Sequence, residues 1–136
     1  MMSSPSRPQS ATAAFQPSLR AGSESRRHFA PIVDSWDRGA LQPDVDLVLS
    51  ELVANAVAYG RGPITVSFDH DHQGMLRIEV ASAPGDAVPA RGAPEPVDER
   101  GRGLQIVEAV ADDWGFVQAE GECRVWVDLD VGRRSN

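Results

Sequence analysis

The spacing of apolar residues predicts a helix in the first third of the chain. Its apolar positions fall three or four apart, which is the repeat of one helix face: Phe29, Ile32, Val33 and Trp36. We expect this helix to begin near Ser23, because serine often caps helix starts. Pro31 interrupts the pattern, so we expect it to kink the helix or to delay its start.

A second helix with a longer apolar face is predicted to follow. Gln42, Pro43 and Asp44 precede it, and proline is well suited to a first helical turn. The apolar positions that continue from there form one face: Val45, Val48, Leu49, Leu52, Val53, Ala56 and Val57. Glycine and proline in residues 60–63 are predicted to end this helix.

The second half of the chain alternates between strand-like and helical patterns. Residues 64–68 and 75–80 alternate apolar with polar positions around a turn sequence, which predicts an antiparallel hairpin. A third helix is predicted over residues 104–111, and a second hairpin over residues 114–129. Residues 81–102, which lie between the first hairpin and the third helix, lack a period. A run of that length is either a functional lid or disordered.

These elements predict a single α+β domain. We expect a two-layer sandwich, in which about three helices cover one face of a mixed, mostly antiparallel sheet. Residues 1–14 are rich in serine, alanine and proline and are predicted to form a disordered lead-in. Residues 15–131 would then form the domain, and residues 132–136 a short tail.

Composition narrows the classes of function. The chain has 136 residues and a formal net charge of -7, which argues against direct nucleic-acid binding. All of its basic residues are arginine, so a lysine-dependent phosphate loop and Schiff-base chemistry are excluded. No apolar run is long enough to span a membrane, and no secretory signal is recognisable, so we expect a cytoplasmic protein.

Two polar residues on the otherwise apolar second helix are the first candidates for chemistry. Glu51 and Asn55 lie four positions apart and therefore share one helix face. Their oxygens suit a divalent cation such as Mg²⁺ together with a water or hydroxyl group. The alternative is that both side chains simply face solvent.

A second candidate lies at the start of the third helix. Residues 101–104 read Gly-Arg-Gly-Leu and follow directly after the predicted lid. Glycines at a helix start let backbone N–H groups approach a phosphate, and the helix dipole favours the negative charge. A flexible segment beside such a helix end fits closure over a nucleotide.

Three segments together resemble a known family. ELVANA (residues 51–56), APGDAVP (83–89) and GRGLQIVEAVADDWG (101–115) resemble the N, G1 and G2 boxes of histidine-kinase-like, or Bergerat-fold, ATPases. The short chain and its terminal hairpin are most similar to the anti-sigma-factor serine kinase branch that is common in actinobacteria. The resemblance covers about residues 15–130.

The resemblance implies a role for each matching residue. Asn55 would bind the Mg²⁺ that bridges the ATP phosphates, and Glu51 would be the general base of phosphotransfer. The remaining implied contacts with the nucleotide come from the G1 and G2 boxes: Gly85, Gly101, Arg102, Gly103 and Leu104. Leu104 is also suited to packing. The implied partners are a sigma factor and an antagonist protein, and a homodimer is consistent with the family.

One position departs from the family pattern. The G1 box ordinarily carries an aspartate that accepts a hydrogen bond from the adenine amino group, and alignment places Ser82 there. A serine hydroxyl is uncharged, so we expect weaker ATP binding, of the order of tenfold. Asp86 would be the substitute if the loop is shifted. Tyr59 either lines the pocket or packs at the helix end, and Cys123 is taken as a small apolar strand residue.

Two functions follow from these residues. The first is an ATP-binding regulator that acts as an anti-sigma-factor-type serine/threonine protein kinase on an antagonist protein. The second is a docking module of the same fold that regulates a partner with little or no phosphotransfer, as Ser82 would suggest.

Overall fold

A computed structural model describes residues 9–35, 41–71, 73–84, 102–119 and 121–132. Trp36, most of the predicted lid and most of the predicted tail lie outside these ranges. In chain order the elements are β1 (Gln9–Phe15), α1 (Ala21–Asp34), α2 (Leu41–Tyr59), β2 (Gly60–His70), β3 (Met75–Pro84), α3 (Arg102–Val110), β4 (Asp113–Ala119) and β5 (Glu122–Asp130).

The strands form one five-stranded sheet in the order β1-β2-β3-β5-β4. All four pairings between these strands are antiparallel, so the predicted mixed character is not found in the described part of the sheet. The predicted α+β class is confirmed. The expected helices and hairpins are all present.

The core lies between the helices and one face of the sheet. Alternate positions of β2, β3 and β5 point to that face and are buried, as in Ile64, Leu76 and Val127. The α1 residue Phe29 stacks on Phe68 of β2 with ring centroids 4.2 Å apart. The opposite face carries mostly polar side chains.

The predicted disordered lead-in is wrong for residues 9–14. These residues belong to β1, which pairs with β2 along its whole length from Gln9 opposite His70 to Phe15 opposite Ile64. Serine, threonine and alanine dominate this strand, and they give little apolar contrast in the sequence. Its order comes from pairing with β2, which is a tertiary contact.

The boundaries of α1 also differ from the prediction. The helix begins at Ala21, and Arg20 occupies the cap position without a side-chain hydrogen bond to the helix. Ser23 therefore lies inside the helix, where its hydroxyl donates to the carbonyl oxygen of Arg20 at 3.2 Å. Pro31 lies within the helix and does not delay its start.

Two strands extend further than their alternating patterns indicated. β2 begins at Gly60, directly after α2, and contains an irregularity between Arg61 and Thr65. Gly62 has a φ of 76°, a left-handed conformation that glycine adopts without strain. The strand β3 runs to Pro84, into the segment predicted as a lid. Both extensions bring polar residues to the end of α2.

No helix in the described ranges is long and apolar enough to cross a membrane.

Candidate functional site

A small cavity of about 40 Å³ lies between the C-terminal half of α2 and the inner face of the sheet. Apolar side chains form most of its wall, and a few neutral polar groups join them. The residues that line it are Leu52, Asn55, Ala56, Tyr59, Gly60, Val80, Ser82, Phe116, Cys123 and Val125. An apolar cleft with a few placed polar groups is the usual form of a small-molecule site.

Asn55 is half-buried and forms part of this wall. Leu52 and Ala56, its neighbours on the helix, also line the cavity, so α2 presents this face to the site. The prediction that Asn55 faces a pocket is consistent with this position. Its side-chain oxygen is the kind of ligand that a hard cation prefers.

Glu51 lies one turn before Asn55 on the same helix. Four residues correspond to a rise of ~6 Å along the helix axis. Glu51 is half-buried, and it is not among the residues that line the cavity. Glu51 therefore lies outside the cavity wall, one turn nearer the start of α2.

Ser82 lies at the other side of the cavity, near the end of the central strand β3. It pairs with Cys123 of β5, and only 8% of its surface is exposed. In the family pattern, the position of Ser82 is held by the aspartate that contacts the adenine base. The place of Ser82 in the cavity wall agrees with that alignment. Its hydroxyl makes no hydrogen bond to any residue that the structure describes.

Gly60 packs against Ser82 where α2 passes into β2. A Cβ atom on Gly60 would lie 2.7 Å from the carbonyl oxygen of Ala56 and 2.9 Å from the Cβ of Ser82. It would also collide with the Ser82 hydroxyl oxygen. Glycine is therefore required here by close packing at the junction of α2 and β2, and we call this tightly packed part of the wall the closed end of the cavity.

Cys123 and Tyr59 complete the polar part of the wall. The Cys123 thiol is half-buried, and burial, with a smaller contribution from the nearby Glu122 carboxylate, raises its pKa. Gln118 donates a weak hydrogen bond to its sulfur at 3.6 Å. From the sequence, Cys123 was interpreted as a small apolar strand residue. Its strand register opposite Ser82 is the feature that brings it to the site.

The structure describes the start of α3, but it does not test the predicted contacts of this region with phosphate. The helix begins at Arg102 and packs against α2, so the two helices that carry the predicted Mg²⁺ and phosphate contacts are neighbours. Gly103 and Leu104 lie in its first turn. Gly85, Asp86 and Gly101 lie outside the described residues.

A sequence model described as the histidine kinase-like ATPase domain matches residues 12–128 of the chain. The chain belongs to the histidine kinase-like ATPase family. The match begins inside β1, which agrees with the strand observed there. The comparison with curated proteins found no match.

Membership of the histidine kinase-like ATPase family implies an ATP-binding regulatory role, usually with Mg²⁺. The lining suits this ligand chemically, because its apolar wall matches a purine ring and Asn55 offers an oxygen at its side. The enclosed volume of about 40 Å³ is below the roughly 300 Å³ at which typical ligand pockets begin, so a nucleotide would extend beyond it. Among the described residues, no cluster of three or more His, Cys, Asp or Glu side chains could hold a metal ion. The family resemblance implies that Mg²⁺ would be held by Asn55 together with phosphate oxygens.

Proposed function

We propose that this protein binds ATP and Mg²⁺ in the α2–sheet cavity and acts as an anti-sigma-factor-type serine/threonine kinase. The order of residues along α2 supports this proposal. Tyr59 lies at the closed end of the cavity, Asn55 lies one turn earlier, and Glu51 another turn earlier. A nucleotide with its base at the closed end would extend its phosphates toward Asn55 and then toward Glu51.

In this proposal Glu51 is the general base. Its carboxylate accepts the proton of a serine or threonine hydroxyl on the partner protein while the hydroxyl oxygen bonds to the terminal phosphorus. The bond from that phosphorus to the bridging oxygen breaks, and ADP leaves. Mg²⁺ on the Asn55 oxygen would offset the negative charge of the phosphates. The protein that receives the phosphate is an antagonist protein, and the kinase itself would sequester a sigma factor.

Occupancy of the cavity can be tested through Cys123, which is the single cysteine of the chain. Bound ATP would cover the thiol and slow its alkylation by iodoacetamide in the presence of Mg²⁺. Asn55→Ala should abolish this protection, whereas Gln73→Ala, which removes an amide from an exposed turn, should keep it. Equal alkylation rates with and without millimolar ATP would refute nucleotide binding at this site.

Catalysis is tested separately with Glu51→Gln. The variant should keep ATP affinity and lose transfer of labelled phosphate to proteins in a nucleotide-depleted extract of the source cells. Glu108→Gln, an exposed position on α3, is the matched control and should retain transfer. Unchanged transfer by Glu51→Gln would remove this residue from the role of base.

A docking module without phosphotransfer is the second candidate. It is favoured by one observation: the described wall of the cavity contains no charged side chain, and Ser82 stands at the position where the family pattern has an aspartate. This alternative predicts that the protein binds the same amount of its partner protein with and without ATP. An ATP-dependent change in capture would favour the kinase.

A further inference from the structure

The polar side chains of the cavity share one chemical property. The described part of its wall contains an amide, a phenol, an alcohol and a thiol: Asn55, Tyr59, Ser82 and Cys123. Each of these groups can both donate and accept a hydrogen bond. A carboxylate only accepts and an ammonium or guanidinium only donates, and none of these is present in the described wall.

Ser82 is the most deeply buried of the four. Its exposed fraction is 8%, whereas the other three side chains are half-buried. The Ser82 hydroxyl makes no hydrogen bond within the described residues, and its oxygen is not among the buried side-chain atoms that lack a partner there, so it reaches the open space of the cavity. It therefore offers a hydrogen bond to whatever occupies the cavity. Gly60 packs against its Cβ, so the hydroxyl stays at the closed end.

The two common kinds of purine differ at ring position 6. Adenine carries an amino group there, which donates, and hypoxanthine and guanine carry an oxygen, which accepts. A carboxylate at this place would bind the amino group and repel the oxygen. A hydroxyl rotates about its C–O bond, so it accepts from the amino group or donates to the oxygen.

We infer that the cavity accepts both 6-amino and 6-oxo purine nucleoside triphosphates, and that Ser82 is the residue that determines this breadth. The inference rests on the proposed function, because it assumes that the base occupies the closed end of the cavity. ATP and ITP are the appropriate probes. They differ at position 6 and at the adjoining ring nitrogen, and neither carries the additional 2-amino group of guanine.

Isothermal titration with Mg²⁺ compares the two nucleotides on the intact chain. The wild-type protein should bind ATP and ITP with dissociation constants within about fivefold of each other, since a hydroxyl serves either group. Ser82→Asp should bind ATP at least about tenfold tighter than ITP, because the carboxylate favours the donor and rejects the acceptor. Ser82→Ala should weaken both nucleotides by a similar factor, about two- to tenfold.

Ser67→Ala is the matched control. Ser67 lies on the outer face of the same sheet, between the buried Val66 and Phe68, and does not line the cavity. Its substitution should leave both affinities unchanged. Circular dichroism establishes whether Ser82→Asp folds, and if it does not, Ser82→Ala decides the role of the hydroxyl.

The outcomes separate the two proposals. A wild-type preference for ATP over ITP of more than tenfold would overturn the inference and leave ATP binding intact. Unchanged affinities in Ser82→Ala would remove Ser82 from base recognition. Failure of the wild-type protein to bind either nucleotide would refute the proposed function and the inference with it.

Discussion

At the scale of single residues, close packing at the junction of α2 and β2 determines the shape of the cavity. Gly60 leaves space for Ser82 on one side and approaches the Ala56 carbonyl oxygen on the other. The serine can move slightly, whereas the helix carbonyl is held by its own backbone. A larger residue at position 60 would therefore both destabilise the domain and change the shape of the cavity.

Gly60→Ala is expected to lower the free energy of unfolding by about 1–3 kcal/mol, because the new methyl group would lie 2.7 Å from a backbone oxygen. Urea denaturation measures the loss. The control is Gly132→Ala, whose Cβ would come no nearer than 3.4 Å to the Asp130 carboxylate, and which should change stability by less than about 0.5 kcal/mol. Equal stability of the two variants would contradict the close contact.

The Cys123 thiol gives a prediction for pH. Burial raises its pKa in the folded state above that of the unfolded chain. The thiolate, which is the reactive form, therefore appears at higher pH in the folded protein than in urea. Alkylation rates measured against pH should show this order. The contribution of Cys123 to stability should be complete below its unfolded pKa and should be lost as the pH rises from there through its folded pKa. A lower midpoint in the folded protein would contradict the burial of this side chain.

At the scale of elements, the outer face of the sheet contains a cross-strand cluster that joins β3 to β5. The Arg77 guanidinium donates to both carboxylate oxygens of Asp128, at 2.8 and 3.0 Å, and lies 4.1 Å from the ring centroid of Trp126. The hydrogen bond with Asp128 raises the pKa of Arg77. Gly115 on β4 leaves the space that the Trp126 ring occupies.

Arg77→Lys is expected to destabilise the domain by roughly 0.5–1.5 kcal/mol, although the charge is retained. Lysine cannot form the two-pronged contact with Asp128 or stack its head group flat on Trp126. Thermal unfolding at low and at high salt measures the effect, and Arg124→Lys on β5 is the control. The Arg124 guanidinium lies 3.3 Å from one oxygen of Glu122 and 3.9 Å from one oxygen of Glu79, without the two-pronged contact to a single carboxylate, so its substitution should have the smaller effect.

At the scale of the whole molecule, long periodic segments could be predicted and tertiary features could not. The apolar face of α2 and the alternation in both hairpins predicted those elements. Of the two polar residues singled out on α2, Asn55 lines the cavity and Glu51 does not, and their roles stay predictions. Cys123 was not predicted as a site residue, because only the strand register brings it opposite Ser82. The strand β1 was missed because small residues carry no apolar contrast, and a strand of that kind forms only when a partner edge is available.

The missed strand completes the sheet, and its register can be tested. Ala13 pairs with Val66 and packs against the core, whereas its neighbour Ala14 pairs with Thr65 and is exposed. Ala13→Asp should lower the free energy of unfolding by about 2–4 kcal/mol, because it forces a charge against an apolar core. Ala14→Asp places the same charge one residue away in solvent and should cost less than about 1 kcal/mol.

Urea denaturation of the two variants distinguishes three arrangements of this end of the chain. A large loss for Ala13→Asp alone agrees with the observed register. A large loss for Ala14→Asp alone would indicate a slip by one residue, since a slip of that size exchanges the two faces of a strand. Little change in either would indicate that residues 9–14 contribute nothing to the fold, as a disordered lead-in would. The sheet would then end at β2, and the core-facing side of that strand would lose the cover that Ala11, Ala13 and Phe15 provide.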